Sequence, residues 1–203
     1  TYNSYGESMV GFTTKQPIGV VGLITPWNFP FIVLAERLPF ILAAGCSVVL
    51  KPSEMTSTTS LIFAEILSNA GLPKGVYNVI TGTGPTVGEA ISNHLDIDMV
   101  SFTGSNEVGK RILAASKSNI KKVALELGGK NPQIVFSDAN LEDAVDGVVF
   151  GMCFNAGQCC VSGSRLIIES SIVDEFKTRL IEKLSRLKIG DPLDSDTQMG
   201  AIV

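Results

Sequence analysis

A thiol, a neutral amide and a carboxylate stand in this sequence in settings that suit covalent work on a carbonyl. In Phe154-Asn155-Ala156-Gly157-Gln158-Cys159-Cys160, two cysteines occupy a polar, glycine-bearing turn after an apolar helical stretch. Cysteine is the most nucleophilic side chain near neutral pH, and only its thiolate attacks carbon, so such a placement asks for partners. Asn28, in Pro26-Trp27-Asn28-Phe29-Pro30, offers an N–H donor for an oxyanion without a charge that would neutralise the thiolate beforehand. Loss of one such donor costs about 3–4 kcal/mol of barrier. Glu126 lies among Val123, Ala124, Leu125 and Leu127, and burial in so apolar a run would make it a stronger base, fit to deprotonate the water that hydrolyses a thioester. Each residue also has a plainer reading. The cysteines can be small buried hydrophobes, which is the preferred reading of Cys46 and Cys153. Asn28 can bond its own backbone in a turn, and Glu126 can pair with Lys121, Lys122 or Lys130 at a strand end.

The elements that must position these groups alternate. Ile18–Ile24, Ser47–Leu50, Tyr77–Ile80, Met99–Phe102 and Val123–Leu127 are apolar runs of strand length. Between them Phe31–Ala44 (with a break near Pro39), Thr58–Ala70, Pro85–Asn93 and Asn106–Lys117 read as helices. Strand and helix in alternation predict an α/β fold, a parallel doubly wound, Rossmann-like sheet with helices on both faces, because parallel neighbours require a crossover. Ligands in such sheets bind beyond the carboxyl ends of the strands. Pro26–Pro30, Lys51–Glu54, Gly82–Pro85 and Thr103–Ser105 each follow a strand and are therefore expected to line one crevice. Gly128-Gly129 breaks the fifth strand and divides the chain into residues 1–127 and 128–203. In the second region Pro132–Phe136 and Arg165–Glu169 read as strands. Leu141–Phe154, capped by Asn140, and Ile172–Leu187, closed by Gly190-Asp191-Pro192, read as helices, and together they form an incomplete second α/β lobe.

Bulk properties narrow the chemistry. The 203 residues are 45% hydrophobic, enough to bury a sizeable core. The net charge of −4 comes from 16 basic and 20 acidic residues without long like-charge runs, so there is no electrostatic footprint for nucleic acid or an anionic membrane. Glu36, Arg37 and Pro39 interrupt the most apolar stretch, which argues against a membrane span, and Thr1–Gly11 does not read as a signal peptide. A cytosolic setting is the default. The four cysteines have no Cys-x-x-Cys spacing and suggest neither a disulfide framework nor a metal site. His94, the only histidine, rules out a histidine-rich metal centre and reads as a surface helix terminus.

Pro-Trp-Asn-Phe-Pro (26–30), Lys-Pro-Ser-Glu (51–54), Phe-Thr-Gly-Ser (102–105), Glu-Leu-Gly-Gly-Lys (126–130) and Gly-Gln-Cys-Cys (157–160) stand in the order and approximate spacing of the NAD(P)-dependent aldehyde dehydrogenase superfamily. From about Gly11 to Val203 the chain resembles the central piece of such a subunit, without the family's leading helices, its Glu-x-Phe-Gly-Pro segment or the tail strand used in oligomerisation. The resemblance implies an NAD-binding lobe over 1–127 and the start of a catalytic lobe over 128–203. Cys160, which follows Gly-Gln-x, is then the nucleophile rather than Cys159, with Asn28 and the Cys160 N–H on the oxyanion and Glu126 on water. It further implies that Lys51 and Glu54, with Ser53 beside them, hold the adenosine ribose, and that Gly84-Pro85 packs near the adenine. Phe102, Thr103, Gly104 and Ser105 lead into a helix that carries Val108 and faces the pyrophosphate, where amide groups and the helix dipole favour an anion. Ile24 and Trp27 wall the nicotinamide pocket, and Thr25, Pro26, Leu127 and Gly128 complete the cofactor set. A carboxylate at Glu54 accepts from a 2′-hydroxyl and repels a 2′-phosphate, which favours NAD over NADP.

Apart from the family, Lys51 and Glu54 read as a solvated pair before a helix capped by Ser53 or Thr56, and Gly82–Gly88 departs from Gly-x-Gly-x-x-Gly by one residue. The resemblance leaves three functions open: oxidation of a small aldehyde to an acid within a homo-oligomeric parent, acyl transfer to coenzyme A, and a non-catalytic fragment that binds NAD or itself. The branch of the family that uses coenzyme A generally lacks this glutamate, so the resemblance, with Glu126 kept, implies hydrolysis rather than transfer to coenzyme A.

Overall fold

The computed structural model describes residues 11–203. The chain divides into two compact units, one ending at Glu126 and the other running Leu127–Val203.

In the first unit, five strands, β1 (Val20–Ile24), β2 (Ser47–Lys51), β3 (Tyr77–Val79), β4 (Met99–Gly104) and β5 (Lys122–Leu127), form one sheet in the order β3-β2-β1-β4-β5. β1 runs parallel to both neighbours, with Leu23 opposite Leu50 on β2 and opposite Ser101 on β4, and β2 runs parallel to β3. The chain winds from β1 out to β3 and returns to β4, so the connections that follow the paired strands β1 and β4 run to opposite sides of the sheet, one to β2 and the other to β5. The helices are α1 (Ile32–Ala43), α2 (Ser57–Asn69), α3 (Glu89–Asn93) and α4 (Asn106–Ala115). Strand periodicity assigns the faces: Leu23, Val48 and Leu50 point to one side, where they pack with Leu34 and Leu38 of α1 and with Phe63 and Leu67 of α2. On the other side Ile91 of α3 and Ile97 lie over Gly22. The expected parallel sheet with helices on both faces is therefore what forms.

Several boundaries differ from the sequence expectation. α1 continues through Pro39 without a break. An interior proline costs about 3 kcal/mol, but Val33, Leu34 and Leu38 are buried on this helix, and each fully buried side chain of that kind contributes roughly 1.5–3 kcal/mol. The carbonyl that loses its donor belongs to Ala35, an exposed residue, where solvent can take the donor's place. The segment expected to be helix over Pro85–Asn93 begins instead as a wide π-type turn at Gly84–Gly88 and becomes α3 only at Glu89. Neither proposed cap of α2 works as one: Thr56 holds the cap position with no side-chain bond and a buried hydroxyl, while Ser53 Oγ accepts only the Met55 N–H, at 3.4 Å. His94 follows α3 at its C-terminal cap, its Nδ1 accepting the Asp96 N–H.

In the second unit β6 (Pro132–Val135) and β7 (Arg165–Ile168) pair in parallel, and α5 (Leu141–Cys153) and α6 (Val173–Ser185) cover them. The core is Val135, Val145, Val148, Val149, Phe176 and Leu180. Asn140 caps α5 through its side chain, as expected. α6 ends at Ser185, so it is not Gly190-Asp191-Pro192 that closes it.

Candidate functional site

The first unit carries a crevice of about 410 Å³ at the carboxyl ends of its strands, within the range of small-molecule sites. Ile24 closes β1 and, with Thr25, Pro26 and Trp27 of the following turn, forms one wall. Lys51, Ser53, Glu54 and Met55 enter from the end of β2. The Gly84–Gly88 turn and α3 supply Gly84, Pro85, Gly88, Glu89 and Ser92. Phe102, Thr103, Gly104 and Ser105 close β4, and Val108, Arg111 and Ile112 line the crevice from α4. These segments meet because every strand of the parallel set ends on the same side, and the connections after β1 and β4, which run in opposite directions along the sheet, leave room between them.

Lys51 is 3% exposed, and its Nζ donates to the Pro52 carbonyl at 3.0 Å and to Glu54 Oε2 at 3.2 Å. Its own backbone N–H holds the Glu54 carboxyl below the usual carboxylate range, and Lys51 lowers it further. The crevice thus presents an anchored ammonium beside an ionised carboxylate that is half exposed. Ser105 caps α4, its Oγ accepting the Val108 N–H at 3.3 Å. The first turn of a helix leaves amide N–H groups without intrahelical partners, which makes the α4 end of the crevice a place for an anion. A Cβ on Gly104 would lie 2.4 Å from Phe102 Cζ, so any larger residue here would have to displace the Phe102 ring that lines the crevice.

Asn28 is half-buried in the turn after β1, next to Trp27 but outside the crevice lining. Leu127 and Gly128 also lie outside it. Glu126 departs from the expectation: it is not buried, its side chain is 61% exposed, and it pairs with Arg37 at 3.0 Å rather than with a lysine. Alternation explains the exposure, because Leu125 and Leu127 take the more protected face of β5 and turn Glu126 outward. The arginine could not be foreseen from sequence neighbours, since it comes from α1.

The second unit positions Cys160 through its backbone. Asn155, Ala156 and Gly157 have φ of 52°, 56° and 72°, a left-handed turn that reverses the chain directly after α5. Asn131 Nδ2 then donates to the Cys160 carbonyl at 2.8 Å and to the Ser162 carbonyl at 3.3 Å, while Gln133 Nε2 on β6 donates to Gly163 O at 2.9 Å. Gly129 sits so close that a Cβ there would stand 3.0 Å from the Cys160 carbonyl. Cys160 is an exposed residue. Partial desolvation and then the adjacent Cys159 push its pKa up, while the Val161 and Cys160 N–H groups, which favour the thiolate, oppose them. Cys46 is buried and Cys153 packs against the second core, as expected of structural cysteines.

Sequence reasoning missed Asn131 and Gln133, whose importance appears only when β6 lies beside the cysteine turn. It also missed Met55, Gly88, Glu89, Ser92, Arg111 and Ile112. Helical spacing was a usable signal for part of that set, since Ser105, Val108, Arg111 and Ile112 recur at intervals of three and four. Among the described residues no group of three or more His, Cys, Asp or Glu is placed to hold a metal ion, and no helix is long and apolar enough to cross a membrane.

The family model described as the aldehyde dehydrogenase family matches residues 1–203. Aldehyde dehydrogenase family 2 member C4 of Arabidopsis thaliana is 47% identical over 96% of this chain and 39% of its own length. Retinaldehyde dehydrogenase 3 of Mus musculus is 49% identical over 96% of the chain and 38% of its own length. The crystal structure of an NAD-dependent aldehyde dehydrogenase from Sinorhizobium meliloti superposes with a TM-score of 0.90 at 50% identity, covering 92% of this chain and 37% of that one. Betaine aldehyde dehydrogenase from Staphylococcus aureus in complex with NAD+ superposes with a TM-score of 0.90 at 46% identity, covering 92% and 37%. The chain therefore spans somewhat over a third of the length of these relatives.

Proposed function

The chain belongs to the aldehyde dehydrogenase family, and on that premise we propose that it is the cofactor-binding and nucleophile-bearing part of an NAD-dependent enzyme that oxidises an aldehyde to a carboxylic acid. In this reading residues 1–127 hold NAD and residues 128–203 bring the thiol. The enzyme works in the cytosol as a homo-oligomer, on a small aldehyde.

The observation that carries the reading is the crevice: residues from the ends of three strands and from the turn and helix after β3 and β4 line one small-molecule volume. Its chemistry suits a dinucleotide. The buried Lys51 amine and ionised Glu54 are a donor and an acceptor for ribose hydroxyls. The α4 end accepts a pyrophosphate. Pro85, Val108 and Phe102 offer apolar surface for flat rings. NAD, when bound, supplies a hydride acceptor.

The chain's own residues account for the other steps. Cys160, as the thiolate, attacks the aldehyde carbon and forms a carbon–sulfur bond, giving a thiohemiacetal oxyanion. Asn28 and the Cys160 backbone N–H donate to that oxygen, and a donor of this kind is worth most where the charge develops. Loss of hydride leaves a thioester on Cys160. Glu126, exposed on β5 and so open to water, takes a proton from the water that attacks the thioester; the acid leaves and the thiolate returns. The thiol's raised pKa limits the thiolate fraction near neutrality, so oxidation should accelerate with rising pH until the thiol is ionised.

The test is Cys160→Ala in the full-length parent: aldehyde oxidation should be abolished while NAD affinity stays within error of the native value. Oxidation at the native rate would remove Cys160 from the reaction.

A further inference from the structure

Arg111 and Glu89 face each other across the crevice, one on α4 and the other at the start of α3, with Arg111 Nη2 2.6 Å from Glu89 Oε1. Their side chains are 57% and 39% exposed, so as a stabilising contact the pair contributes little. Its position is more telling. Both residues line the same volume as Pro85, Val108 and Ile112. Gly84, which opens the turn before α3, has no atom within 4 Å of where a Cβ would stand, so the space beside it is open. An open slot with apolar walls and a charged pair on its lining fits a planar ring that carries polar groups on one edge.

The carboxylate is held in a defined orientation. Asn93 Nδ2 donates to Glu89 Oε2 at 3.3 Å and to the Glu89 carbonyl at 2.9 Å, while Arg111 takes Oε1. Neither group is saturated, because a carboxylate has about four acceptor positions and a guanidinium five donors. The pair therefore offers a ligand one fixed acceptor next to one fixed donor.

We propose that Arg111 and Glu89 read the edge of a purine base and select adenine over 6-oxopurines. This deepens the cofactor reading above and rests on it. Adenine presents a 6-amino donor flanked by ring-nitrogen acceptors, the complement of carboxylate and guanidinium. Hypoxanthine and guanine place a carbonyl oxygen where the amino group stands, and that oxygen would confront the Glu89 carboxylate. A site built to bond a polar edge discriminates against an analogue that leaves its own groups unpaired far better than an apolar slot does. Lys51 with Glu54 and the first turn of α4 then meet the ribose and phosphates of the same nucleotide.

The experiment is a set of equilibrium titrations of the full chain with NAD, nicotinamide hypoxanthine dinucleotide, AMP and IMP. The native chain should bind each adenine ligand roughly tenfold more tightly than its 6-oxo counterpart, the discrimination of one good two-point edge contact. Glu89→Gln and Arg111→Leu should bring that ratio close to unity. The exchanged pair, Glu89→Arg with Arg111→Glu, keeps an ion pair between the helices but swaps donor and acceptor, so it should lose or invert the preference. Thermal unfolding of each variant shows that it is folded. A native ratio of one overturns the proposal, as does an unchanged ratio in the exchanged pair, which would leave the two residues as a latch between helices. If AMP is preferred over IMP but NAD does not bind, the purine reading stands and the dinucleotide reading falls. If no nucleotide binds, both fall.

Discussion

Replacing Glu54 by glutamine should relax the choice between NAD and NADP, and the structure sets the size of the effect. Glu54 lies on the crevice wall with its carboxylate kept ionised by its own N–H and by Lys51 3.2 Å away. In the proposed reading this carboxylate meets the adenosine ribose, where NADP carries a 2′-phosphate with a charge of about −1.5 to −2 near neutrality. Two unit charges about 4 Å apart repel by ~1 kcal/mol in water and ~4 kcal/mol at an effective dielectric constant of ~20. The Glu54 side chain is 53% exposed, which places the interaction near the watery limit and gives about 1.5–2 kcal/mol in total. Glu54→Gln should therefore raise the affinity for NADP relative to NAD by about 10- to 30-fold, since 1.4 kcal/mol is a factor of ten. Lys51 attracts either cofactor before and after the change and cancels from the ratio to first order. Calorimetric titration with both dinucleotides gives the ratio directly. Repeating it at 1 M salt, where the screening length is about 3 Å, should erase most of the native discrimination. An NADP-to-NAD ratio that does not move in Glu54→Gln would refute the placement of the ribose beside this residue.

Asn28→Ala in the full-length parent should lower kcat by about 10²–10³ with NAD binding retained, as expected for loss of one oxyanion donor; a variant with native kcat would return Asn28 to the role of a turn residue. Phe176 is fully buried at the centre of the second core, so Phe176→Ala should destabilise that unit by about 3–5 kcal/mol; hydrogen exchange should show the loss over residues 127–203 and little change before Glu126. Desolvation raises the Tyr77 phenol above its ordinary value of 10.0. The folded chain thus keeps a proton that the unfolded chain releases as pH rises past that value, and this contribution to stability, intact below it, is lost in alkali. Tyr77→Phe keeps the edge contact with Phe63 and should flatten the fall in stability above pH 10 when unfolding is followed against pH; an unchanged slope would show that another group titrates.

The legible parts of the molecule were those specified by local pattern. The five strands of the sheet were found within two residues of their observed bounds because buried parallel strands are short apolar runs between turns. Helix interruptions were harder. Pro39 predicts a break by every local rule, yet α1 runs through it because the buried face on the sheet outweighs one lost backbone bond. The cap of α2 failed for a related reason: Ser53 and Thr56 have the right chemistry, but their hydroxyls point elsewhere, and no sequence rule specifies a χ1 angle.

The same division runs through the candidate site. Sequence alone determined that the strand-end motifs belong together, since a parallel sheet gathers the carboxyl ends of its strands on one side whatever fills the loops. It also singled out the cysteine turn, because thiol and glycine chemistry is written in adjacent residues. Tertiary structure decided which partner each charged group takes: Glu126 faces outward to Arg37, Glu89 reaches Arg111, and Asn131 holds the Cys160 carbonyl. Ion pairs and side-chain tethers join residues far apart in the chain, and their choice depends on helix orientation and strand register over distances of a few ångströms. Those quantities follow from packing the whole core, and no local stretch of sequence contains them.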